Sequence, residues 1–294
     1  MTRTASLLVA LALLLTGPAF AADEVDTENL FGFTEGADTG KEGERDVFVD
    51  TVMRFGKRRA GPGSSHYAVA DTKFSLQYDP VKNFSIELGV FGDLRRVRNV
   101  VDLDDKAFST FDGVQVDLKY QLLKGSKEQP FGFALEVRPR FARTLPIEGT
   151  GANVFDVETV AHADWQIVPD QVWLGANLTF DGSAGRLRGS GAGDRSSLFT
   201  SSNAVSFRVA ENTYLGPEVR YQRYYDGTYL NRFEGHAVFV GMGLHHRFTD
   251  KAFMTLAYAG QVWGHDRDPL YSARAFDLTH FERHNVRVRF GVEF

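Results

Sequence analysis

The 294-residue chain contains no cysteine. No disulfide can brace it, and neither a thiolate metal site nor a cysteine nucleophile is available. Long apolar runs are missing too. Beyond "LLVALALLL" at 7–15, no stretch approaches about 18 uninterrupted apolar residues, so no membrane-spanning helix is expected. A basic excess is also lacking: 33 Lys and Arg stand against 38 Asp and Glu, for a formal charge of -5, which excludes nucleic acid as an expected partner. Catalytic signatures are absent as well. There is no G-x-S-x-G elbow, and "GRLRGSGAG" lacks the Gly-Lys-Ser/Thr ending of a phosphate-binding loop.

What the sequence does have is alternation, with 25 Phe and 10 Tyr among its residues. In "AVADTKFSLQY", Ala68, Ala70, Thr72, Phe74, Leu76 and Tyr78 share one parity and Asp71, Lys73 and Gln77 the other. "GVQVDLKYQL" sets Val114, Val116, Leu118 and Tyr120 against Asp117 and Lys119, and "FGFALEVRPRF" sets Phe133, Leu135 and Val137 against Glu136, Arg138 and Arg140. Period two over ~10 residues is a strand signal, here unusually long. The pattern predicts an all-β, closed antiparallel transmembrane barrel of about twelve strands, although ten or fourteen also fit. The expected strands are 44–56, 66–79, 83–96, 111–122, 130–143, 153–167, 172–182, 198–209, 213–225, 233–248, 252–264 and 274–294.

The connections support the same reading. Links after even strands are mostly tight, such as "DPVK", "VPD" and "TDK", whereas those after odd strands are mostly longer, such as "VRNVVDLDDKAFST" and "SAGRLRGSGAGDRSS". Short turns on the side of the termini and long loops opposite match the periplasmic and exterior ends of an outer-membrane barrel. A soluble sandwich could show the same alternation, but it has no need to sort its loops by side.

The segments ahead of the barrel read differently. Arg3, the apolar 7–15 run and Ala19-Phe20-Ala21 predict an export signal over residues 1–21. Residues 22–43, "ADEVDTENLFGFTEGADTGKEG", are acidic and aperiodic. They are expected to be a periplasmic segment: a disordered tether, a plug for the barrel, or a docking site for a periplasmic partner through Leu30, Phe31 and Phe33. The barrel takes residues 44–294.

The closing stretch "HNVRVRFGVEF" places Val286, Val288, Phe290, Val292 and Phe294 on one parity. This resembles the assembly signal of Gram-negative outer-membrane β-barrel proteins, in which a last-strand aromatic with alternating apolar residues is read by the barrel assembly machinery. The resemblance implies an outer-membrane address, with outer-membrane lipid and lipopolysaccharide as surroundings. It implies no cargo.

The other parity carries the candidate functional residues: Lys73, Glu87, Asp117, Lys119, Glu136, Arg138, Arg140, Glu218, Arg220, Arg287, Arg289 and Glu293, with Asp71, Asp93 and Arg95 beside them. Arginine forks recognise carboxylates and phosphates, so such a row suits a path for anions. Interleaved acids equally suit ion pairs that fill a narrow barrel. No metal, cofactor or catalytic group is expected. His245 and His246 point to opposite faces, and His280 and His284 would lie roughly 13 Å apart on a strand. Aromatics near strand ends, including Trp165, Trp173, Trp263, Tyr214 and Tyr229, suit an interfacial girdle. The expected function is a porin-like channel passing small polar or anionic solutes by facilitated diffusion. The alternatives are a non-conducting structural or interaction barrel and a barrel-embedded lipid- or peptide-cleaving hydrolase.

Overall fold

Strand alternation on this scale needs partners for every backbone N–H and C=O, and closure supplies them without leaving an edge. The computed structural model describes residues 25–126 and 128–294, so the expected signal segment lies outside the described residues. Twelve strands follow one another: β1 (Arg45–Phe55), β2 (His66–Val81), β3 (Phe84–Arg98), β4 (Lys106–Leu123), β5 (Phe131–Thr144), β6 (Gly151–Val168), β7 (Val172–Leu187), β8 (Gly193–Ala210), β9 (Thr213–Asp226), β10 (Arg232–Thr249), β11 (Ala252–Asp266) and β12 (His284–Glu293). Each pairs antiparallel with its sequence neighbours. β1 closes on β12, with Val49 opposite Phe290 and Thr51 opposite Val288. The all-β closed barrel and its strand number are those expected from the sequence.

Three stretches differ by more than two or three residues. β12 begins at His284 and not near 274, because Asp277 Oδ1 accepts from the amides of Thr279 and His280 and folds that stretch into a turn. The glycine-rich stretch after residue 182 is mostly ladder: Gly182 pairs with Ser197 and Ala184 with Arg195, leaving only 188–192 as a turn. Gly and Ser weaken a strand but do not break it where both neighbours supply hydrogen bonds. β4 starts earlier, at Lys106. Loop asymmetry survives these shifts, since 82–83, 211–212 and 250–251 join strands on the side of the termini and 56–65 and 267–283 lie opposite.

The two parities separate as the alternation requires. Phe74, Leu76, Leu88, Val90, Val114, Leu135, Leu178, Val240, Leu256 and Phe290 are exposed on the outer wall, while Glu87, Asp117, Lys119, Glu218, Arg287 and Arg289 are buried inside. An apolar exterior around a polar, charged interior is the inverse of a water-soluble domain. It is stable only where lipid is the outer solvent.

Val90, near the middle of β3 and 45% exposed, tests that assignment. Val90→Arg is expected to destabilise the barrel by about 2–4 kcal/mol, the cost of arginine near a bilayer midplane, in reversible denaturant unfolding from lipid vesicles.

Candidate functional site: the filled bore

Twelve strands enclose a bore wider than an eight-stranded barrel, whose own side chains suffice to fill it. Here the extra space is taken by the chain itself. Residues 27–38 enter from the side of the termini and run through the interior against most of the wall. The aperiodic segment forms no strand or helix, so its backbone groups need partners from side chains. Glu218 on β9 accepts from the amides of Phe33, at 2.8 Å, and Thr34. Asn177 on β7 accepts from Glu35 N and donates to Glu35 O, both at 2.8 Å. Asp164 on β6 accepts from Ala37 N at 2.6 Å and from the Thr27 hydroxyl at 2.6 Å. Lys119 donates to Gly36 O at 2.9 Å, Thr255 to Asn29 O at 2.9 Å and Arg287 to Gly32 O at 3.0 Å.

Apolar contacts add to this seat. Leu30 and Phe31 pack with Trp173, Ala204 and Tyr214, and Phe33 lies against the cluster of Ala237, Phe239, Ala259 and Phe281. The Arg220 guanidinium stands 3.8 Å over the Phe33 ring. Close approach demands small residues on both sides. A Cβ on Gly175 would lie 2.7 Å from the Phe31 ring, and one on Gly32 would lie 2.6 Å from Glu218 Oε2. Leu30, Phe31 and Phe33, candidates in the sequence for holding a periplasmic partner, are thus packed inside the barrel.

The centre of the seat is a carboxylate among guanidiniums. Glu35 pairs with Arg138, with Arg287 at 2.9 Å and, more loosely, with Arg289 at 3.8 Å. Burial alone would raise its carboxyl, but Arg138, Arg287 and Arg289 hold it well below the usual carboxylate range. Arg138 also meets Glu136 at 2.7 Å and Glu158 at 2.8 Å, and Arg287 meets Asp50 at 2.5 Å. His162, fully buried, bridges Glu136 at 2.8 Å and Asn177 at 3.1 Å. Because Asn177 Nδ2 donates to Nδ1, Nε2 is left as the donor to Glu136.

The remaining candidates sit around this centre. Lys73 bridges Glu87, at 2.6 Å, and Asp117; Arg289 reaches Glu87 at 3.6 Å. Arg140 pairs with Asp112 at 2.6 Å. Lys119 pairs with Glu28 at 3.3 Å. Glu293 lies opposite Asp46 across the β1–β12 seam. Beside the segment lie two small spaces, about 30 Å³ next to Thr27, Asp38, Asp164 and Trp173, and about 20 Å³ between Glu28, Lys119, Glu136 and Arg289, each on the order of one water.

Sequence reasoning missed Glu35, Asp50, Asp112, Asp164, His162 and Asn177. Asp50 shares a parity with Asp46 and Arg54, but Phe48 on the same row, 1% exposed, masks the pattern. Trp173 and Tyr214, read as girdle residues, instead point inward at 2% and 4% exposure and grip the inserted segment. Their parity with Asn177 and Glu218 was the available signal. Trp165 and Trp263 do face outward.

Two clusters bring potential metal ligands within 4.8 Å of one another, Glu35–Glu136–His162 and Asp266–Asp277–His280. In the first, Arg138 already supplies the positive charge. The second forms because His280 lies in the turn before β12 and not on a strand with His284; its carboxylates are held by the Thr279 hydroxyl at 2.6 Å and by backbone amides. Among the described residues, no serine hydroxyl bonds the second nitrogen of either His–carboxylate pair.

Residues 23–294 match the model of a family of unknown function, DUF6662, and the chain belongs to that family. No curated protein sequence matches it. Among solved structures it is similar to the COG4313 outer membrane channel from Pseudomonas putida F1, at 14% identity over 92% of this chain and 100% of that one, with a TM-score of 0.58. More distant likenesses include the NanC porin (15% identity, 85% of this chain and 98% of that one, TM-score 0.45) and the translocator domain of the autotransporter NalP from Neisseria meningitidis (11%, 88% and 90%, 0.47). The shared fold is that of Gram-negative outer-membrane barrels, and the apolar exterior places this chain in the outer membrane.

Arg287→Ala removes the cation that serves both Glu35 and Asp50, leaving Glu35 with Arg138 and Asp50 with only the looser Arg289. At about 3 kcal/mol for a broken buried pair, amide exchange at Phe33, Thr34, Glu35 and Ala37 should accelerate about a hundredfold by hydrogen-exchange mass spectrometry, with the strand amides unchanged. The depressed Glu35 pKa fixes the sign of the pH effect. Its contribution is complete above the ordinary glutamate value of about 4.3 and is lost as pH falls through the depressed one. Apart from the intrinsic pH dependence of exchange, the Glu35 contribution to protection of the Phe33, Thr34 and Glu35 amides should therefore not change between about pH 7 and about pH 5.

Proposed function

We propose that this member of the DUF6662 family is an outer-membrane channel for small anionic solutes that is closed at rest by its own amino-terminal segment. The observation that carries the reading is the place of Glu35. A carboxylate that belongs to no strand sits among Arg138, Arg287 and Arg289, where a solute carboxylate or phosphate would be recognised. With residues 27–38 withdrawn, the bore would be lined by those arginines together with Lys119 and Arg220. Glu136, Glu218 and Glu87 lie between them and keep binding weak enough for release. The fold shared with a protein described as an outer membrane channel is consistent with this.

The density of the filling supports a second reading, a barrel that conducts nothing and whose interior serves stability alone. The two differ in whether the segment can leave. Since the chain has no cysteine, one engineered pair can serve as a lock: the Ala37 Cβ lies 3.3 Å from the Cβ position of Gly132, close to disulfide spacing, and the Asp164 carboxylate, whose Oδ1 lies 2.5 Å from that position, would swing aside to admit it. In planar bilayers, the Ala37→Cys/Gly132→Cys protein should be silent when oxidised and show openings when reduced. A variant lacking residues 25–38 should conduct steadily with anion selectivity. A folded deletion variant without conductance would leave the non-conducting barrel as the function.

A further inference from the structure

Away from the bore, the outer wall carries a basic patch that the channel reading does not use. It lies at the ends of β5–β8 opposite the termini. Arg143 shares the outward parity of Phe141 on β5, and Arg186 that of Leu178 on β7. Arg186 pairs in register with Gly193 on β8 and with Asn153 on β6, and Arg195 stands opposite Ala184. Arg188, in the β7–β8 turn, reaches back along the wall and donates to the carbonyls of Arg143 and Ala152, each at 3.2 Å, and to Asn153 Oδ1 at 3.4 Å. Arg143, Arg186, Arg188 and Arg195 are all exposed. Among the described residues none of the four has an ion pair, whereas Arg138, Arg140, Arg287 and Arg289 inside the bore all do. The outward neighbours Asn153, Ala184 and Gly193 bring no carboxylate to the patch.

Directly below lies an apolar ledge. The β9–β10 loop, 227–231, bends outward over the wall: Gly227 N donates to Arg195 O at 2.9 Å, and the Ser197 hydroxyl holds Gly227 O at 2.8 Å and Leu230 N at 3.0 Å. This fold stacks Tyr229 on Phe180, with centroids 6.5 Å apart and planes 8° from parallel. Tyr229 remains 77% exposed and Leu230 43%, and Phe155 on β6 adds a further exposed ring. A loop that turns its tyrosine and leucine outward, beneath arginines without counter-charges, matches an amphiphile with anionic groups above and acyl chains below.

We propose that Arg143, Arg186, Arg188 and Arg195 form a binding site for the headgroup phosphates of an outer-leaflet glycolipid whose acyl chains lie along Tyr229, Leu230 and Phe155. The site is independent of conduction, so it stands or falls apart from the channel reading. Guanidinium forks take phosphate oxygens in pairs, and the bond from Arg188 to Asn153 and the strand carbonyls fixes the spacing of the patch in advance.

The test uses the full-length protein in phosphatidylcholine nanodiscs doped with bis-phosphorylated lipid A, with bound lipid counted by native mass spectrometry. The wild-type protein should retain lipid A, and Arg143→Ser/Arg186→Ser/Arg195→Ser should weaken retention by about a hundredfold, at three arginines near an anionic surface. Heat-modifiable gel migration confirms that the variant is folded. A control with the same charge loss elsewhere, Arg59→Ser/Arg96→Ser/Arg98→Ser, should bind as wild type. Removing the phosphates from lipid A should reproduce the patch variant's loss, and millimolar inorganic phosphate should not displace the intact lipid. Equal retention by the patch variant, or equal loss in the control, would overturn the site, as would displacement by free phosphate.

Discussion

A twelve-stranded sheet closed on itself has an interior that its own side chains cannot fill, and most of what is distinctive in this protein follows from that excess width. Lipid outside fixes the apolar parity and backbone pairing fixes closure, but neither says what occupies the middle. The inserted segment does, and because it has no regular structure its backbone must be satisfied residue by residue from the wall. Glu218, Asn177, Asp164, Lys119, Thr255 and Arg287 each hold a backbone group of residues 29–37. The inner charged row is therefore as much a binding surface for a peptide as a lining for solvent.

The charges obey the usual rule for desolvated ions: each is tolerable because another lies within reach. The network is not a set of separate pairs. Arg138 meets three carboxylates and Glu35 meets three guanidiniums, so removing the segment would unbalance arginines on β5 and β12 together. That links occupancy of the bore to the electrostatics of strands far apart in sequence, because without Glu35 the three guanidiniums that meet it would each lose a carboxylate partner.

Alternation made the barrel legible, and it placed Arg138, Arg287 and Arg289 inside because their neighbours Val137, Val288 and Phe290 are apolar without exception. It failed where the inner row turns apolar. Phe48 hid Asp50, and Trp173 and Tyr214 looked like interfacial residues because period two says which residues share a face but not what that face meets. The path of residues 27–38 could not be read at all. A segment held by side-chain to backbone hydrogen bonds leaves no periodicity in its own sequence; only its glycines, Gly32 and Gly36, show that something packs closely against it. The outward fold of 227–231 was invisible for the same reason, being fixed by one serine hydroxyl and two backbone amides.

The stretch from Asp38 to Arg45 is short and itself pinned, with Gly43 N bonded to Asp79 O at 2.7 Å. In the channel proposed above, a withdrawn Glu35 would stay tethered near the arginines and compete with a free anion at the effective concentration of a tethered ligand, on the order of millimolar for a short flexible link. A solute that enters the bore must match that local concentration as well as the affinity. The length of the six-residue link, 39–44, would thus set a threshold, keeping the barrel shut to scarce anions and responsive to abundant ones without any moving part beyond the segment itself.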